Sequence, residues 1–322
     1  MKGLTKYLAA CMLTMAAATQ AWAAYPEKPV TMIIGYPPGQ ATDIVGRLVA
    51  DKLSQRLGQP FIVENKPGQG ASLALAHLTK QKPDGYTMVL SATAAYVTNP
   101  HLYKSVGYDT LKDFQPIGTL IDFPLVLVAR PNAPFDDYAG FVKYAKEHPG
   151  AMNHTSSGSG TLSHLGMELL KRETGIDVVH VPYKGSARAM TDIAAGNVDV
   201  GIETVTVTKP FIDSGRLKLL AVTVPKRLDV FPNAPTLDEL GVKGFDVAAW
   251  LGMVFPAGTP AEYAKTINDA LQAILKDPQV AGQLKSLGAL PRPSTTQEFA
   301  DLLKGEYTTW GEIVKASGAK VD

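Results

Sequence analysis

The chain has 322 residues, of which 31 are Lys or Arg, 30 are Asp or Glu and one is Cys, and its formal net charge is +1. This balance argues against a nucleic-acid partner and against binding to an anionic membrane surface. One cysteine excludes an intrachain disulfide, so a chain of this length is expected to rely on its own hydrophobic core.

The first 23 residues have the pattern of a secretory signal peptide. Two lysines precede an apolar run over 8–18, and Ala21-Trp22-Ala23 has the small-x-small pattern of a cleavage site. We predict cleavage after Ala23 and a soluble periplasmic protein, since no later apolar run approaches the roughly 20 residues of a membrane span. Cys11 follows a lipoprotein-like Leu-Ala-Ala sequence, but lipidation is disfavoured because too short an apolar run precedes it.

The mature chain opens with a strand, a glycine-bearing loop and a helix. Residues 29–36 are apolar and partly β-branched, which predicts a buried parallel strand, and apolar spacing from Asp43 to Leu57 predicts an amphipathic helix. The unpaired N–H groups of such a helix start carry partial positive charge and can bind a carboxylate. The candidate ligand-binding residues here are Tyr36, Pro38, Gly39, Gln40, Ala41, Thr42 and Asp43.

Strand and helix patterns then alternate. Strands at 61–63 and 86–91 flank a helix at 72–80, and a loop at 91–95 follows. Ligands bind at the carboxyl ends of strands in open α/β sheets, so Ser91 and Thr93 are pocket candidates. Local turn hydrogen bonds are the equal alternative. The alternation predicts α/β architecture with mostly parallel sheets.

A long apolar stretch over 117–130 predicts a crossing into a second lobe. After a helix at 138–148 and a strand at 152–155, a loop at 156–164 rich in glycine and hydroxyl groups leads into a helix at 165–174. The first strand, loop and helix are thus repeated, which predicts one ligand held between two anion-binding helix starts. The candidates in this loop are Ser157, Gly158, Gly160, Thr161 and His164.

The remaining elements complete both lobes. They are predicted as strands at 178–181, 198–202 and 217–223, helices at 187–195, 209–214 and 237–240, a second apolar crossing at 245–255, and helices at 260–276 and 296–316. Further candidates at strand ends are Tyr183, Lys184, Arg188, Glu203 and Thr204. We therefore predict a signal peptide at 1–23, a first lobe at 24–124 and 246–322, and a second lobe at 125–245, joined by a hinge.

Several candidate residues could have more than one role. Asp43 complements a helix dipole, whereas direct ligand contact would favour an ammonium-bearing ligand. Arg188 either pairs with a distal carboxylate or extends along the rim of the cleft. Ser157 and His164 do not form the G-x-S-x-G elbow of a nucleophilic serine, and the His, Asp and Glu spacing supports no metal site. We predict no enzyme activity, no cofactor and no metal.

Short motifs occur in order along the mature chain. They include Tyr25-Pro26, Pro37-Pro38-Gly39, Glu64-Asn65-Lys66-Pro67-Gly68, Pro83-Asp84-Gly85-Tyr86, Ser157-Gly158-x-Gly160-Thr161-x-Ser163-His164, His180-Val181-Pro182-Tyr183-Lys184-Gly185 and Pro256-Ala257-Gly258-Thr259-Pro260. In these motifs the chain resembles the Bug or TctC family, the extracytoplasmic solute receptors of tripartite tricarboxylate transporters. The resemblance implies a two-lobe periplasmic binding protein, a Venus flytrap of type II-like architecture. It also implies that backbone N–H groups, hydroxyls and waters of two loops hold a ligand carboxylate.

The resemblance implies a function but not a particular ligand. Gln40-Ala41 stands where many relatives have glycines, so the Gln40 side chain is a candidate contact. We predict a monomeric receptor that captures a di- or tricarboxylate or an aromatic acid and delivers it to membrane permease subunits. The alternative is a periplasmic sensor that uses the same cleft and presents its closed, liganded form to a signalling protein.

Overall fold

The computed structural model describes residues 25–183 and 185–319. The predicted signal peptide and Lys184 therefore lie outside the described residues. Of the helices within these ranges, none combines the length and apolar character that crossing a bilayer requires.

Helices and strands alternate along the chain. The first half contains β1 (Val30–Ile34), α1 (Ala41–Leu57), β2 (Phe61–Asn65), α2 (Ser72–Leu78), β3 (Thr87–Ala92), α3 (Asn99–Leu102), β4 (Phe114–Ala129), α4 (Tyr138–Glu147), β5 (Met152–Ser156) and α5 (Leu162–Thr174). The second half contains β6 (Val178–Pro182), α6 (Ser186–Ala194), β7 (Val200–Thr204), α7 (Val205–Asp213), β8 (Lys218–Val222), β9 (Ala248–Pro256), α8 (Ala261–Lys276), α9 (Pro278–Ser286), β10 (Leu290–Pro291) and α10 (Thr296–Ser317).

The strands pair in the order β2-β1-β3-β9-β4-β7-β5-β6, with β8 and β10 also paired to β4. β1 is parallel to β2 and β3, and β5 is parallel to β6 and β7. β4 and β9 are antiparallel to all their partners, so the prediction of mostly parallel sheets is wrong at the centre of the molecule. The reason is that β4 leads the chain from one parallel group to the other and β9 leads it back.

The two predicted crossings are confirmed by the pairing of β4. Its residues 114–124 pair with β9, whereas residues 125–129 pair with β7 and β8. Thr223 Oγ1 lies 2.8 Å from the carbonyl oxygen of Leu125 and 2.7 Å from that of Val247, so one hydroxyl group links both crossings. The lobe boundaries at 124 and 246 stay a prediction.

Strand β1 is buried on both faces, as its apolar sequence predicts. Met32 and Ile34 pack in the core that includes Val45 and Leu53 of α1, whereas Ile33 belongs to the core on the other face. Burial of both faces explains why this strand is continuously apolar rather than alternating. Its carboxyl end thereby presents a rigid support for the loop that follows.

Several element boundaries differ from the prediction. α1 begins at Ala41 and α5 at Leu162, two and three residues before the predicted starts, because polar loop residues continue directly into the first helical turn. The predicted helix at 237–240 is a turn. Helix α9 was missed, although Asp277 caps it and Pro278 occupies its first position, which is a recognisable start signal.

Candidate functional site

The candidate residues lie where parallel strands end. They occupy the last residues of β3 and β7, the loops after β1, β5 and β6, and the first turns of the following helices. In the first loop Pro38, Gly39, Gln40 and Ala41 are exposed, Tyr36 is partly exposed, and Thr42 is buried. This is the edge of the sheet at which ligands are expected to bind.

Asp43 holds the loop after β1 in place. Its carboxylate accepts hydrogen bonds from the Gly39 N–H at 2.9 Å, from Arg47 Nε at 3.0 Å and from Asn65 Nδ2 at 2.8 Å. Asn65 Nδ2 also donates to the Tyr36 carbonyl oxygen at 2.9 Å. Burial alone would raise the pKa of Asp43, but these hydrogen bonds lower it. The contacts favour a structural role for Asp43 over direct contact with a ligand.

Helix α1 begins without a side-chain cap. Its N-cap residue is Gln40, whose backbone is extended and whose side chain makes no capping hydrogen bond. Gly39 has a φ of 82°, a left-handed conformation that favours glycine. Within the described ranges, no side chain accepts a hydrogen bond from the N–H groups of Ala41 and Thr42. These two donors remain available to an anion.

A cluster of three hydroxyl groups shapes the loop after β5. Ser163 Oγ lies 2.8 Å from Ser157 Oγ and 2.9 Å from Thr161 Oγ1, and it accepts the Ser157 N–H at 2.8 Å. Thr161 Oγ1 donates to the Gly158 carbonyl oxygen at 2.7 Å. Ser157 and Thr161 are partly exposed, whereas Ser163 is buried. Two of the three residues of the cluster are therefore accessible from solvent.

Two glycines let this loop turn sharply and approach a neighbouring segment. Gly158 and Gly160 have φ values of 146° and 80°, which side chains rarely tolerate. A Cβ atom at Gly160 would lie 2.8 Å from Cδ1 of Leu102 in α3. The loop thus packs against the segment that follows β3.

Three histidine rings stack beside the same loop. The ring centroids of His164 and His180 are 3.8 Å apart, and those of His180 and His154 are 4.9 Å apart. The Gly160 N–H donates to His164 Nδ1 at 3.1 Å, and Ser156 Oγ lies 2.7 Å from His180 Nε2. Burial lowers the pKa of His164 to about 4 and that of His180 to about 3, so both rings are neutral near pH 7. His164 thus supports the loop from within the fold.

The serines beside the histidine rings are not arranged as an activated nucleophile. Ser157 Oγ contacts hydroxyl groups rather than His164, whose Nδ1 is already occupied. Ser156 does contact His180, but Ser156 is only 1% exposed and its hydroxyl is out of reach of a substrate. Across residues 25–183 and 185–319, no group of three His, Cys, Asp or Glu side chains is arranged to hold a metal ion.

Polar residues at the ends of β3 and β7 differ in how well they are hydrogen bonded. Thr93 accepts the Trp250 N–H at 2.8 Å and donates to its carbonyl oxygen at 3.1 Å, so Thr93 links two strands and its hydroxyl is not free for a ligand. Glu203 Oε1 accepts the Thr204 N–H at 2.8 Å. Ser91 Oγ and Glu203 Oε2 are buried without a partner in the described part of the chain. Such atoms are costly unless a ligand or water satisfies them.

The loop after β6 is tied to the loop after β5. The Tyr183 N–H donates to the Ser156 carbonyl oxygen and the Gly185 N–H to that of Ser157, both at 3.1 Å. The Tyr183 hydroxyl donates to Asp192 at 2.7 Å, which directs it toward α6. Arg188 is exposed in the first turn of α6.

The structure places most of the candidates in two clusters. One cluster contains the loop after β1 with Asn65, and the other contains the loops after β5 and β6 with the histidines. Outside these clusters, at the ends of β3 and β7, lie Ser91, Thr93, Glu203 and Thr204. Between the described parts of these clusters, no hydrogen bond is present. Asn65, Ser163 and His180 were not predicted as site residues, although each lies in a motif that carries the family resemblance.

Comparison with known proteins gives a consistent result along nearly the whole chain. The model of the tripartite tricarboxylate transporter family receptor, TctC, matches residues 45–319. BugT of Bordetella pertussis is 32% identical over 298 residues, covering 92% of this chain and 91% of BugT. A UPF0065 protein of Agrobacterium vitis is 36% identical over 302 residues, covering 93% of this chain and 87% of that protein.

Solved structures of similar proteins share the fold. A TctC solute-binding protein from Polaromonas has a TM-score of 0.82 at 26% identity, covering 91% of this chain and 99% of that one. A Rhodopseudomonas palustris protein solved with adipate has a TM-score of 0.73 at 32% identity, covering 92% and 100%. MatC from the same species, with bound malate, has a TM-score of 0.69 at 31% identity, covering 90% and 100%.

Proposed function

The chain belongs to the receptor family of tripartite tricarboxylate transporters, and we propose that it captures an organic carboxylate in the periplasm and delivers it to transporter permease subunits. Members of this family are solute-binding receptors, so the protein is a binding protein and not an enzyme. The ligand class that we propose is a di- or tricarboxylate or an aromatic acid. Adipate and malate, found with two relatives, are both dicarboxylates, which supports this class.

The observation that carries the proposal is the pair of similar helix starts. Helices α1 and α5 both follow a glycine-bearing loop, and neither N-cap residue, Gln40 or Thr161, makes a side-chain capping bond. Their first N–H groups are therefore available to an anion and carry the positive end of the helix dipole. We propose that one carboxylate bridges the loops at 39–42 and 157–161.

A thermal-shift screen tests ligand binding directly. We expect a matching carboxylate, supplied at about 100 times its dissociation constant, to stabilise the protein by about 2.7 kcal/mol. Each acid is compared with its neutral amide, for example adipate with adipamide, because the amide keeps the shape and removes the charge. Stabilisation by amides as strongly as by acids, or by no acid in a broad panel, would contradict the proposed carboxylate site.

Export and delivery need separate tests. We expect the periplasmic protein to begin at Ala24 and to carry no lipid, which N-terminal sequencing and mass spectrometry will show. Uptake of labelled ligand by cells that contain the permease subunits should require the receptor. Ligand binding without any receptor-dependent uptake would favour a sensor over a transport receptor.

A further inference from the structure

We propose that His164 and His180 act together as positioning residues, which fix the loop after β5 so that its free N–H groups point to the ligand carboxylate. The inference rests on the proposed function, because it assigns a role within the carboxylate site. Neither ring is itself proposed to contact the ligand. The two stacked rings, His164 and His180, are called the histidine pair below.

His164 holds one N–H group of the loop. The Gly160 N–H donates to His164 Nδ1 at 3.1 Å. A backbone N–H can only donate, so Nδ1 must be unprotonated and the ring proton of neutral His164 must be on Nε2. The side chain therefore holds the loop through a specific acceptor atom, in addition to filling space.

His180 holds a second point through Ser156. Its Nε2 lies 2.7 Å from Ser156 Oγ, and the same Oγ accepts the Gly158 N–H at 3.2 Å. The hydroxyl can thus accept from Gly158 while it donates to His180. Two N–H groups of one short loop are thus engaged within the protein, that of Gly160 by His164 directly and that of Gly158 by His180 through Ser156.

The remaining donors of the loop are left free by this arrangement. Within the described residues, the N–H groups of Ser159 and Leu162 make no hydrogen bond. Ser159 lies between the two anchored glycines, and Leu162 is the first residue of α5. Gly158 and Gly160 both adopt positive φ values. Anchoring their N–H groups, together with the hydroxyl contacts of the loop, fixes the orientation of the peptides between them.

Stacking couples the two anchors and disfavours protonation of both rings at once. The rings are nearly parallel, with an interplanar angle of 12° and centroids 3.8 Å apart. The ionisable groups that face them are His154, Glu168 and Lys171, and Lys171 Nζ lies 2.9 Å from Glu168 Oε1. Glu168 is thus already paired with a cation. Two imidazolium rings at this separation would repel each other strongly in a partly buried site. Neutral rings avoid this repulsion, and each keeps one unprotonated nitrogen that can accept a hydrogen bond.

The two anchors use different ring nitrogens, which allows a crossed test. An Asn side chain places its amide oxygen near the position of Nδ1, whereas a Gln side chain places its amide group near Nε2. We therefore expect His164→Asn and His180→Gln to keep the anchors, and His164→Gln and His180→Asn to lose them. Each position supplies its own control, since both variants remove the ring and leave an amide.

The affinity of the best carboxylate from the thermal-shift screen is the first measurement. We expect His164→Gln and His180→Asn to weaken binding by about tenfold, a typical effect of a lost hydrogen bond. The control variants His164→Asn and His180→Gln should bind within about threefold of wild type. Circular dichroism confirms that each variant is folded. Equal losses at both variants of a position, or wild-type affinity in all four, would overturn the positioning role.

A second measurement does not need a ligand. In protein labelled with nitrogen-15, we expect a scalar coupling across the hydrogen bond between the Gly160 amide nitrogen and an unprotonated Nδ1 of His164. His164→Gln removes the imidazole partner and so identifies the signal. A protonated Nδ1 in the free protein would overturn the inference whatever the ligand proves to be. Failure of the wild-type protein to bind any carboxylate would instead contradict the proposed function, so the two failures are distinguishable.

Discussion

Polar side chains at the candidate site fall into two groups according to their hydrogen bonds. Asp43 and Thr93 are satisfied within the protein, whereas Ser91 Oγ and Glu203 Oε2 are buried without a partner among the described residues. For Asp43 the sequence left two interpretations open, and these hydrogen bonds favour the one in which a carboxylate in a first helical turn stabilises the fold locally. The role of Thr93 could not be predicted, because its partner Trp250 lies 157 residues further along the chain.

Replacing Asp43 by Asn separates the structural role from ligand contact. The variant loses the charge that attracts Arg47 and one acceptor of the loop hydrogen bonds, so we expect affinity to fall by a similar factor for aspartate and for succinate. These ligands differ only in an ammonium group. Titration calorimetry with both measures the effect. A loss confined to aspartate would show that Asp43 contacts the ammonium group.

Replacing Arg188 by Ala tests a distal acid site. Arg188 is exposed at the start of α6, close in sequence to Tyr183, whose backbone is bonded to the loop after β5. If its guanidinium pairs with a second carboxylate, a dicarboxylate should bind at least about tenfold more weakly, or about 1.4 kcal/mol, and its matched monocarboxylate almost unchanged. Arg56→Ala, at the exposed far end of α1, is the control. Equal losses for both ligands would end this hypothesis.

Among the helices and strands, a strong apolar periodicity predicted the type of element, whereas the local preference of β-branched residues did not always do so. Val205-Thr206-Val207-Thr208 is β-branched throughout, so its sequence favours a strand and the predicted helix began only at 209. In the structure α7 starts directly at Val205, after β7 has extended through Glu203 and Thr204. Glu203 is therefore paired with Val126 of β4 within a strand, and its orientation depends on packing that the sequence does not display.

Helix α10 is joined to β9 through a partly buried glutamate. Glu306 accepts hydrogen bonds from Trp250 Nε1 at 2.9 Å and from Trp310 Nε1 at 3.2 Å. Burial raises the pKa of Glu306 from 4.5 to about 7 despite these donors. The folded state thus favours the protonated acid, and Glu306 contributes stability that is fully present below about pH 4.5 and lost as the pH rises through about 7.

The variant Glu306→Gln tests this pH dependence. Gln keeps a carbonyl acceptor for an indole N–H but never ionises. We therefore expect the melting temperature of wild type relative to Glu306→Gln to fall as the pH rises from 5 to about 7 and then to level off. Glu312→Gln, on the exposed face of the same helix, is the control for removing a charge. A constant difference across this range would show that Glu306 does not titrate there.

For the whole molecule, the two crossings could be predicted because each is a long, largely apolar stretch and the strand and helix pattern begins afresh after the first. Their antiparallel pairing could not be predicted, since it depends on strands from both parts of the chain meeting in one sheet. The contact of Arg292 with both crossings could not be predicted from the sequence either. Its Nη1 lies 3.0 Å from Asp122 Oδ1 in β4, and its Nη2 lies 3.5 Å from Asp246 Oδ2, just before β9.

Closure of the predicted lobes about these crossings is the last prediction. Each uncapped helix start offers only part of a carboxylate site, so ligand binding should bring the loops at 39–42 and 157–161 together and reduce the radius of gyration measured by small-angle X-ray scattering. Arg292 links both crossings through partly buried ion pairs. Arg292→Met should therefore destabilise the protein by roughly 1 to 3 kcal/mol and, by loosening the hinge, enlarge the ligand-free form and increase the contraction.

Lys285→Met is the matched control, because Lys285 pairs at 3.0 Å with the exposed Asp229 and, among the described residues, makes no hydrogen bond or ion pair with either crossing. Scattering is recorded at saturating ligand for all three proteins, so a difference in affinity cannot imitate a difference in closure. The contraction on ligand binding should be largest in Arg292→Met, and it should be smaller and equal in wild type and Lys285→Met. An unchanged radius in the wild type would count against a clamp, and equal radii of free wild type and Arg292→Met would remove Arg292 from the hinge.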